Sequence, residues 1–446
     1  MDVLRRDTIF ALATPPMASA IAVVRVSGQN ALAVKEQIFF PKRKEQNLFV
    51  AMLGDIKGRE LIDEAICVAY PEGKSYTGEN AFELFLHGSP VIVKSVLRLL
   101  QESGCRAAEP GEFSMRAVLT GKIDLCQADA VCDLIGARSE EAAQIALRSL
   151  KGGLAAYLDP IRTNIVDVLC EIEARLDFPD EDLGNADRRR LAKKLAEDVA
   201  QLEKLLRGAQ FGERLTQGAR VVLFGKPNVG KSTLLNALLG EERALVHDAP
   251  GTTRDVLEST WLVRGIPVTL VDVAGVREAE NIDPVEAMGI ARARKELLRA
   301  DAVIWLRSSD AMDDLSPEMA ALQVPILEVL TKADLHMRAD TGGATLWISA
   351  KTGYGLDRLI GKVANLLAAH IPEASEVLLT RVRQKEEVEL TTKALIAASQ
   401  ALIEEQVDEI VASELRQAGK ALDRLLGKSL NEDVLNLIFS RFCIGK

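Results

Sequence analysis

Gly225-Lys226-Pro227-Asn228-Val229-Gly230-Lys231-Ser232 follows the apolar run Val221 to Phe224 and leads into a helix-forming stretch that opens near Ser232. The spacing is G-x-x-x-x-G-K-S, and a strand before it with a helix after it is the context a phosphate-binding loop requires. Glycines let such a loop wrap a diphosphate, while successive backbone N–H groups and the helix N-terminus face the anion. Lys231 is then placed to reach the outer phosphates and Ser232 to ligate Mg2+, with Asn228, Val229, Gly230 and Thr233 completing the cradle.

Outward from this loop, residues 218 to about 370 alternate helices with the strand-like runs Val268 to Val271, Ala302 to Leu306, Ile326 to Leu330 and Leu346 to Ile348. That alternation predicts a mainly parallel sheet with helices on both faces. Chemistry-bearing tetrapeptides fall at the strand ends. In Asp272-Val273-Ala274-Gly275, Asp272 can support Mg2+ and the Gly275 N–H can sense a γ-phosphate. Thr253, in Gly251-Thr252-Thr253-Arg254-Asp255, lies where a switch threonine closes on the same ion. Thr331-Lys332-Ala333-Asp334 brings a carboxylate that can accept from guanine N1–H and its exocyclic amine, groups adenine cannot supply; Ser349-Ala350-Lys351 completes the base pocket. Each motif is weak alone, but five in this order point to GTP. Two departures stand out. Thr331 replaces a commoner Asn, which removes an amide that would tie the base site to the phosphate loop. Val276 stands where a water-orienting glutamine is usual, so water must be positioned from elsewhere.

The flanks have other textures. Residues 1–120 carry short apolar runs and one clear helix from about Pro90 to Ser103, an α+β pattern; residues 121–217 and 371–446 are helical. The simplest arrangement inserts the 218–370 segment into one all-α domain. A formal charge of −10 over 446 residues disfavours a surface made throughout for nucleic acid. No apolar run reaches the ~18 residues of a membrane helix, so no membrane partner is expected. Six scattered cysteines without a C-x-x-C pair and only four histidines argue against a zinc site or disulfide framework. Arg5-Arg6 before an apolar stretch ending Ala18-Ser19-Ala20 mimics an export signal, but Asp7, Pro15 and Pro16 break it, and the cytoplasm is the expected compartment.

Gly225 to Thr233, Gly251-Thr252-Thr253-Arg254-Asp255 and the terminal Phe442-Cys443-Ile444-Gly445-Lys446 resemble the bacterial tRNA-modification GTPase family MnmE (TrmE), within the TrmE-Era-EngA-YihA-Septin-like GTPases. The likeness extends to Ala13-Thr14-Pro15-Pro16, Tyr76-Thr77-Gly78-Glu79, Pro110-Gly111-Glu112-Phe113-Ser114 and Asp177-Phe178-Pro179-Asp180. It implies an N-terminal domain that dimerises and binds a tetrahydrofolate derivative, a helical domain, and a G domain that pairs across a homodimer when GTP and K+ bind. Asn228 and the segment His247-Asp248-Ala249-Pro250-Gly251-Thr252 would lie at the nucleotide, with Asn228, His247, Ala249 and Thr252 around K+. Ser232 and Thr253 would hold Mg2+. Glu286 would orient water, joining Lys231 and Cys443 as candidate catalytic residues. Arg25, Glu83, Lys122 and Lys446 match the folate positions, for 5,10-methylene-tetrahydrofolate or its analogue 5-formyl-tetrahydrofolate. With the partner MnmG, which carries FAD, the family installs a carboxymethylaminomethyl or aminomethyl group at C5 of the wobble uridine of certain tRNAs.

Plainer roles stand beside these. Cys443 can be a packing residue among Phe439, Phe442 and Ile444, or a poor prenylation box; Arg25 and Lys122 can be surface charges; Glu286 can be a helix-opening carboxylate favoured by the dipole. Met17 to Ala22 stands where many relatives are glycine-rich, which bears on the backbone near Arg25. At the level of function, the alternatives are a translation or ribosome-assembly GTPase binding RNA without folate chemistry, and a slow nucleotide-dependent dimerisation switch.

Overall fold

The computed structural model describes residues 7–40, 47–54, 60–177, 185–226, 228–245, 259–272, 295–308, 324–335, 346–367, 377–429, 438–439 and 445. The chain divides into two compact units, one of residues 1–132, 149–166 and 416–446, the other of residues 133–148 and 167–415.

The first unit is built on a seven-stranded sheet. Its strands are β1 (Ile9–Leu12), β2 (Ser19–Ser27), β3 (Phe39–Phe40), β4 (Leu48–Gly54), β5 (Leu61–Tyr70), β6 (Ala81–Gly88) and β7 (Arg106–Ala107), in the order β3-β4-β5-β6-β2-β1-β7. All neighbours are antiparallel except β1 and β7. Strand alternation gives each face its character: Ala22, Val24 and Val26 are buried with Phe82, Leu84 and Leu86 beneath α1 (Ala31–Ile38) and α2 (Pro90–Glu102). Arg25 stands on the opposite face, directly across from Glu83 on β6. α3 (Glu112–Leu119) follows, and then α4 (Leu125–Gly136), α5 (Glu140–Leu150) and α6 (Gly153–Asp177) begin the helical part of the chain.

A buried ionic network fastens the segments between these strands. Arg116, 3% exposed, donates to Asp7 Oδ1 at 2.7 Å, to Glu112 Oε1 at 2.9 Å and to Glu79 at 3.2 Å. Arg106 adds bonds to Glu112 at 2.6 Å and to Asp7 at 2.7 Å. Taking one partner away from such a set leaves uncompensated buried charge, which costs several kcal/mol.

The second unit holds the other sheet. Its strands are β8 (Ala219–Phe224), β9 (Ala244–Leu245), β10 (Ser259–Val263), β11 (Ile266–Asp272), β12 (Ala302–Ser308), β13 (Ile326–Thr331) and β14 (Leu346–Trp347), in the order β14-β13-β12-β8-β11-β10-β9. The run from β14 to β11 is parallel, and β10 and β9 add an antiparallel edge. Buried side chains lie on both faces: Val221 and Leu223 enter one apolar cluster, Val222 and Val303 another. That two-sided burial is the signature of a parallel sheet covered on both faces, so the expected α/β class holds. β9 and β10 are additions to the strands read from sequence. Helices α7 (Asn185–Arg207), α8 (Ala209–Gln217), α9 (Lys231–Arg243), α10 (Leu356–Leu367), α11 (Val382–Ile403) and α12 (Asp408–Leu426) complete the described elements. Among the described residues no helix is long and apolar enough to cross a membrane.

Burial alone would raise the Glu112 carboxyl, but hydrogen bonds from Arg106 and Arg116 outweigh it and hold the group below its ordinary value of 4.5; the same arginines lower Asp7. A carboxyl depressed on folding stabilises fully above its unfolded value, and that contribution is lost as pH falls through the folded one. We therefore expect urea-unfolding stability to fall as pH drops below about 4.5, and Glu112→Gln to flatten that dependence while lowering stability at neutral pH by about 3 kcal/mol.

Candidate functional site

The phosphate loop leaves β8 and turns across β12. A Cβ on Gly225 would lie 2.5 Å from the Leu306 carbonyl oxygen, so only glycine fits. Asn228 (φ +62°) and Gly230 (φ +103°) take left-handed backbone, which Asn tolerates better than most residues. Leu234 N–H makes the first bond of α9, to Gly230 O at 2.9 Å, so the N–H groups of Lys231, Ser232 and Thr233 have no acceptor within the helix. Lys231 Nζ folds back onto the carbonyls of Gly225 (2.7 Å) and Lys226 (3.1 Å). Burial draws the Lys231 ammonium below its ordinary range, and nearby Asp272 partly offsets this; an anion in the loop would offset it further.

β8 and β11 run parallel with Leu223 beside Asp272, which brings that carboxylate to the helix start. Ser232 Oγ donates to Asp272 Oδ2 at 3.3 Å, while the buried Oδ1 has no hydrogen-bond partner among the described residues. An orphaned carboxylate oxygen beside a hydroxyl forms an all-oxygen donor pair that suits Mg2+.

The base-binding motifs converge at the far strands. Thr331, 5% exposed, donates its hydroxyl to Val229 O at 2.7 Å, with Arg307 O a second acceptor at 3.1 Å. This corrects the expectation that Thr at 331 loses the tie to the phosphate loop: the hydroxyl makes it directly. Lys332 follows with φ +60°, and Ala333 N–H donates to Ile348 O at 3.1 Å. Ser349, 1% exposed, donates to Asp334 Oδ1 at 2.7 Å, and that bond holds the exposed Asp334 carboxyl below its ordinary value. Asp334 is therefore an ionised, oriented acceptor. Lys351 also helps lower it, so Thr331 to Asp334 and Ser349 to Lys351 form one locality. Gly355, which sequence reading passed over, closes the turn because the Trp347 carbonyl leaves no room for a side chain there.

The first unit has its own concave site, a cavity of about 210 Å³ lined by Arg25, Tyr70, Tyr76, Thr77, Glu83 and Phe113 among others. Arg25 Nε donates to Glu83 Oε1 at 2.7 Å, its Nη1 to Gly445 O at 3.4 Å, and Tyr70 OH to Glu83 Oε2 at 3.5 Å. Tyr76 OH meets Ser114 Oγ at 2.9 Å. Burial, then the neighbouring Glu83 carboxylate, pushes the Tyr70 phenol up, so it stays a neutral hydroxyl at neutral pH. Lys122 does not line the cavity; its Nζ donates to Gly73 O at 2.9 Å on the loop that carries Ser75 to Thr77. Tyr70, Tyr76 and Phe113 were missed from sequence. The signal lay in Tyr76-Thr77-Gly78-Glu79 and Pro110-Gly111-Glu112-Phe113-Ser114, which the Tyr76–Ser114 bond joins.

Of the other expected positions, His247, Asp248, Ala249, Pro250, Gly251, Thr252, Thr253, Val273, Ala274, Gly275, Glu286, Cys443 and Lys446 lie outside the described residues. Thr331→Val should weaken GTP and GDP binding on the order of tenfold by stranding the Val229 carbonyl, while the preference for GTP over ATP persists because Asp334 and Ser349 are untouched. Titration with fluorescent nucleotides reads both.

A family model described as the MnmE helical domain matches residues 125–443, and one described as the GTP-binding protein TrmE N-terminus matches residues 8–122. The tRNA modification GTPase MnmE of Aquifex aeolicus (strain VF5) is 37% identical over 453 residues, covering 99% of this chain and 100% of the relative. The protein of the same name from Thermotoga petrophila is 39% identical with the same coverage. That from Methylococcus capsulatus is 38% identical over 450 residues, covering 99% of each. The likeness thus runs from end to end through both the phosphate-loop sheet and the N-terminal cavity, and the chain belongs to the MnmE family of tRNA modification GTPases.

Proposed function

We propose that this chain is a K+-dependent GTP hydrolase that, with the FAD-containing partner MnmG, forms 5-carboxymethylaminomethyl or 5-aminomethyl uridine at the wobble position of certain tRNAs, drawing the one-carbon unit from 5,10-methylene-tetrahydrofolate. The observation that carries it is the Arg25–Glu83 pair inside a tyrosine-lined cavity, in a chain that also bears a complete phosphate loop. A ribosome-assembly GTPase has no use for such a cavity, whereas a pterin with an acidic tail suits an arginine, a carboxylate acceptor and aromatic walls.

Ser232 and Asp272 would hold Mg2+ with Thr253, and Asn228 with His247, Ala249 and Thr252 would hold K+. Bound there, the ions would neutralise negative charge on the phosphates, K+ supplying the charge that an arginine finger gives elsewhere. Lys231 grips the outer phosphates and Asp334 selects guanine. Glu286 orients the water that Val276 cannot, Lys122 and Lys446 join Arg25 and Glu83 on the folate, and Cys443 acts at the pyrimidine. We assign residues 1–120 to folate binding and dimerisation, 121–217 and 371–446 to the helical domain, and 218–370 to the G domain. The open sheet face of the first unit supports a homodimer: Val50 and Ile66 are 54% and 43% exposed and pair across β4 and β5, and Ile66 pairs with Phe85 on β6. The reaction belongs in the cytoplasm, where tRNA is charged and used.

GTP turnover should be roughly tenfold or more faster in KCl than in NaCl; equal rates would remove the potassium role. In a deletion strain, mass spectrometry of wobble nucleosides should show loss of the modified uridine. The wild-type chain restores it, and Arg25→Ala does not, although its GTP turnover persists. An unchanged nucleoside profile in the deletion strain would sink the proposal.

A further inference from the structure

β10 and β11 form a hairpin whose open end lies at the nucleotide and whose closed end does not. Asp272 ends β11 beside Ser232, while the turn is Arg264-Gly265, both with positive φ (+48° and +81°), a tight connection suited to twisted strands. Seven residues of β11 at about 3.3 Å each put the turn roughly 20 Å from Asp272. In the chain, the hairpin follows directly on the segment that contains Thr253 and precedes Val273-Ala274-Gly275.

The closed end rests on α5. Glu141 lies over the turn so closely that a Cβ on Gly265 would be 2.9 Å from its carboxyl carbon. One residue on, Ala142 is fully buried in the same apolar cluster as Trp261, Val263 and Ile266 of the hairpin, and Ala137 and Ile145 pack against that cluster. Ser139 caps the helix, its Oγ accepting from Ala142 N–H at 3.2 Å, which fixes where α5 begins against the strands. β11 is held on its other side by β8, and Gly218, the residue before β8, approaches the Pro267 carbonyl so that a Cβ there would lie 2.9 Å away. A stiff two-stranded ribbon, with one end at the metal-ligand carboxylate and the other packed on a helix, does not deform smoothly, because close-packed interiors pass displacement on.

We propose that α5 is a positioning element for the nucleotide site: through Glu141 and Ala142 it sets the β10–β11 hairpin and hence Asp272, so that α5 and the phosphate content of the bound nucleotide are energetically coupled. Coupling of this kind is reciprocal. What α5 docks against changes with the nucleotide, and disturbing α5 changes the relative affinity for the two nucleotides.

The experiment uses the full-length protein. Amide hydrogen exchange over residues 140–148 is compared with GDP bound and with a non-hydrolysable GTP analogue bound; protection there should differ between the two. Glu141→Ala removes the contact without touching the hairpin, and Gly265→Ala drives a methyl into it at a strained φ. Each should change the ratio of analogue to GDP affinity on the order of fivefold, and the double variant should depart from the product of the two. The GTP-over-ATP preference should stay constant in all of them, a readout that general destabilisation would not spare. Identical exchange in both nucleotide states, or an unchanged affinity ratio in both single variants, overturns the coupling. The exchange arm uses the wild-type chain and so survives misfolding of a variant. The inference rests on the GTP site alone, so its failure leaves the tRNA-modification proposal intact, and loss of nucleotide binding by the wild-type chain would instead count against the site itself.

Discussion

The Leu306 carbonyl leaves no room for a side chain at position 225, and much of the nucleotide site depends on that approach. β8 lies between β11 and β12, so a loop leaving its carboxyl end must bend over a neighbouring strand. The parallel registers decide what that loop meets. Leu223 lies beside Asp272, Phe224 beside Trp305, and Ser308 beside Thr331, so the carboxyl ends of four strands come level. A carboxylate, a helix N-terminus and a base-reading strand then share one rim, as open parallel sheets require of a ligand site. Thr331 closes the arrangement by bonding the loop it faces.

Two buried or half-buried arginines of the first unit show how a structural charge differs from a binding one. Arg116 spends its Nη1 and Nη2 groups on Asp7, Glu79 and Glu112. Arg25 has one short bond, to Glu83, and a long one to Gly445 O, which leaves its Nη2 group without a partner among the described residues. A guanidinium carries five donors. Arg116 has little left to offer a ligand, whereas Arg25 keeps donors at the cavity wall. The net charge of −10 hides this distinction, because binding depends on which cations stay under-satisfied and not on the total.

What was legible in the sequence follows from contact distance along the chain. The phosphate loop is eight consecutive residues between a strand and a helix, so its composition announces it. Asp334 and Ser349 were readable because each lies just past the end of a strand in a parallel sheet, where position implies a site. Thr331 was misread for the opposite reason: the carbonyl it bonds belongs to a residue 102 positions earlier, and nothing local says that a hydroxyl can do an amide's work there. The N-terminal cavity was half legible. Arg25 and Glu83 were found through family likeness, but Tyr70, Tyr76 and Phe113 meet them only because the antiparallel register and the Arg116 network fold three distant segments together. β10 escaped because Ser259 to Val263 is short and its partner strand lies across a tight turn.

The segment that carries the second sheet enters from α8 and leaves at residues 378–380, and these two paths are bound to each other. Gly212 on α8 has no room for a side chain because of the Leu379 carbonyl, and Thr216 Oγ1 donates to Thr380 O at 3.2 Å. Arg214 holds the last carbonyls of α10, those of Leu366 and Leu367, where a cation also meets the negative end of the helix dipole. Thr380 and Arg381 in turn bond Asp133, which is 7% exposed. Closing a loop of about 150 residues costs only a few tenths of a kcal/mol more than closing one somewhat shorter, since the entropy grows with the logarithm of length. A helical body whose two strands of entry and exit are already pinned side by side therefore tolerates a whole sheet between them, and the clamp at Gly212, Thr216 and Arg214 is the physical reason the segment can sit there as an insertion.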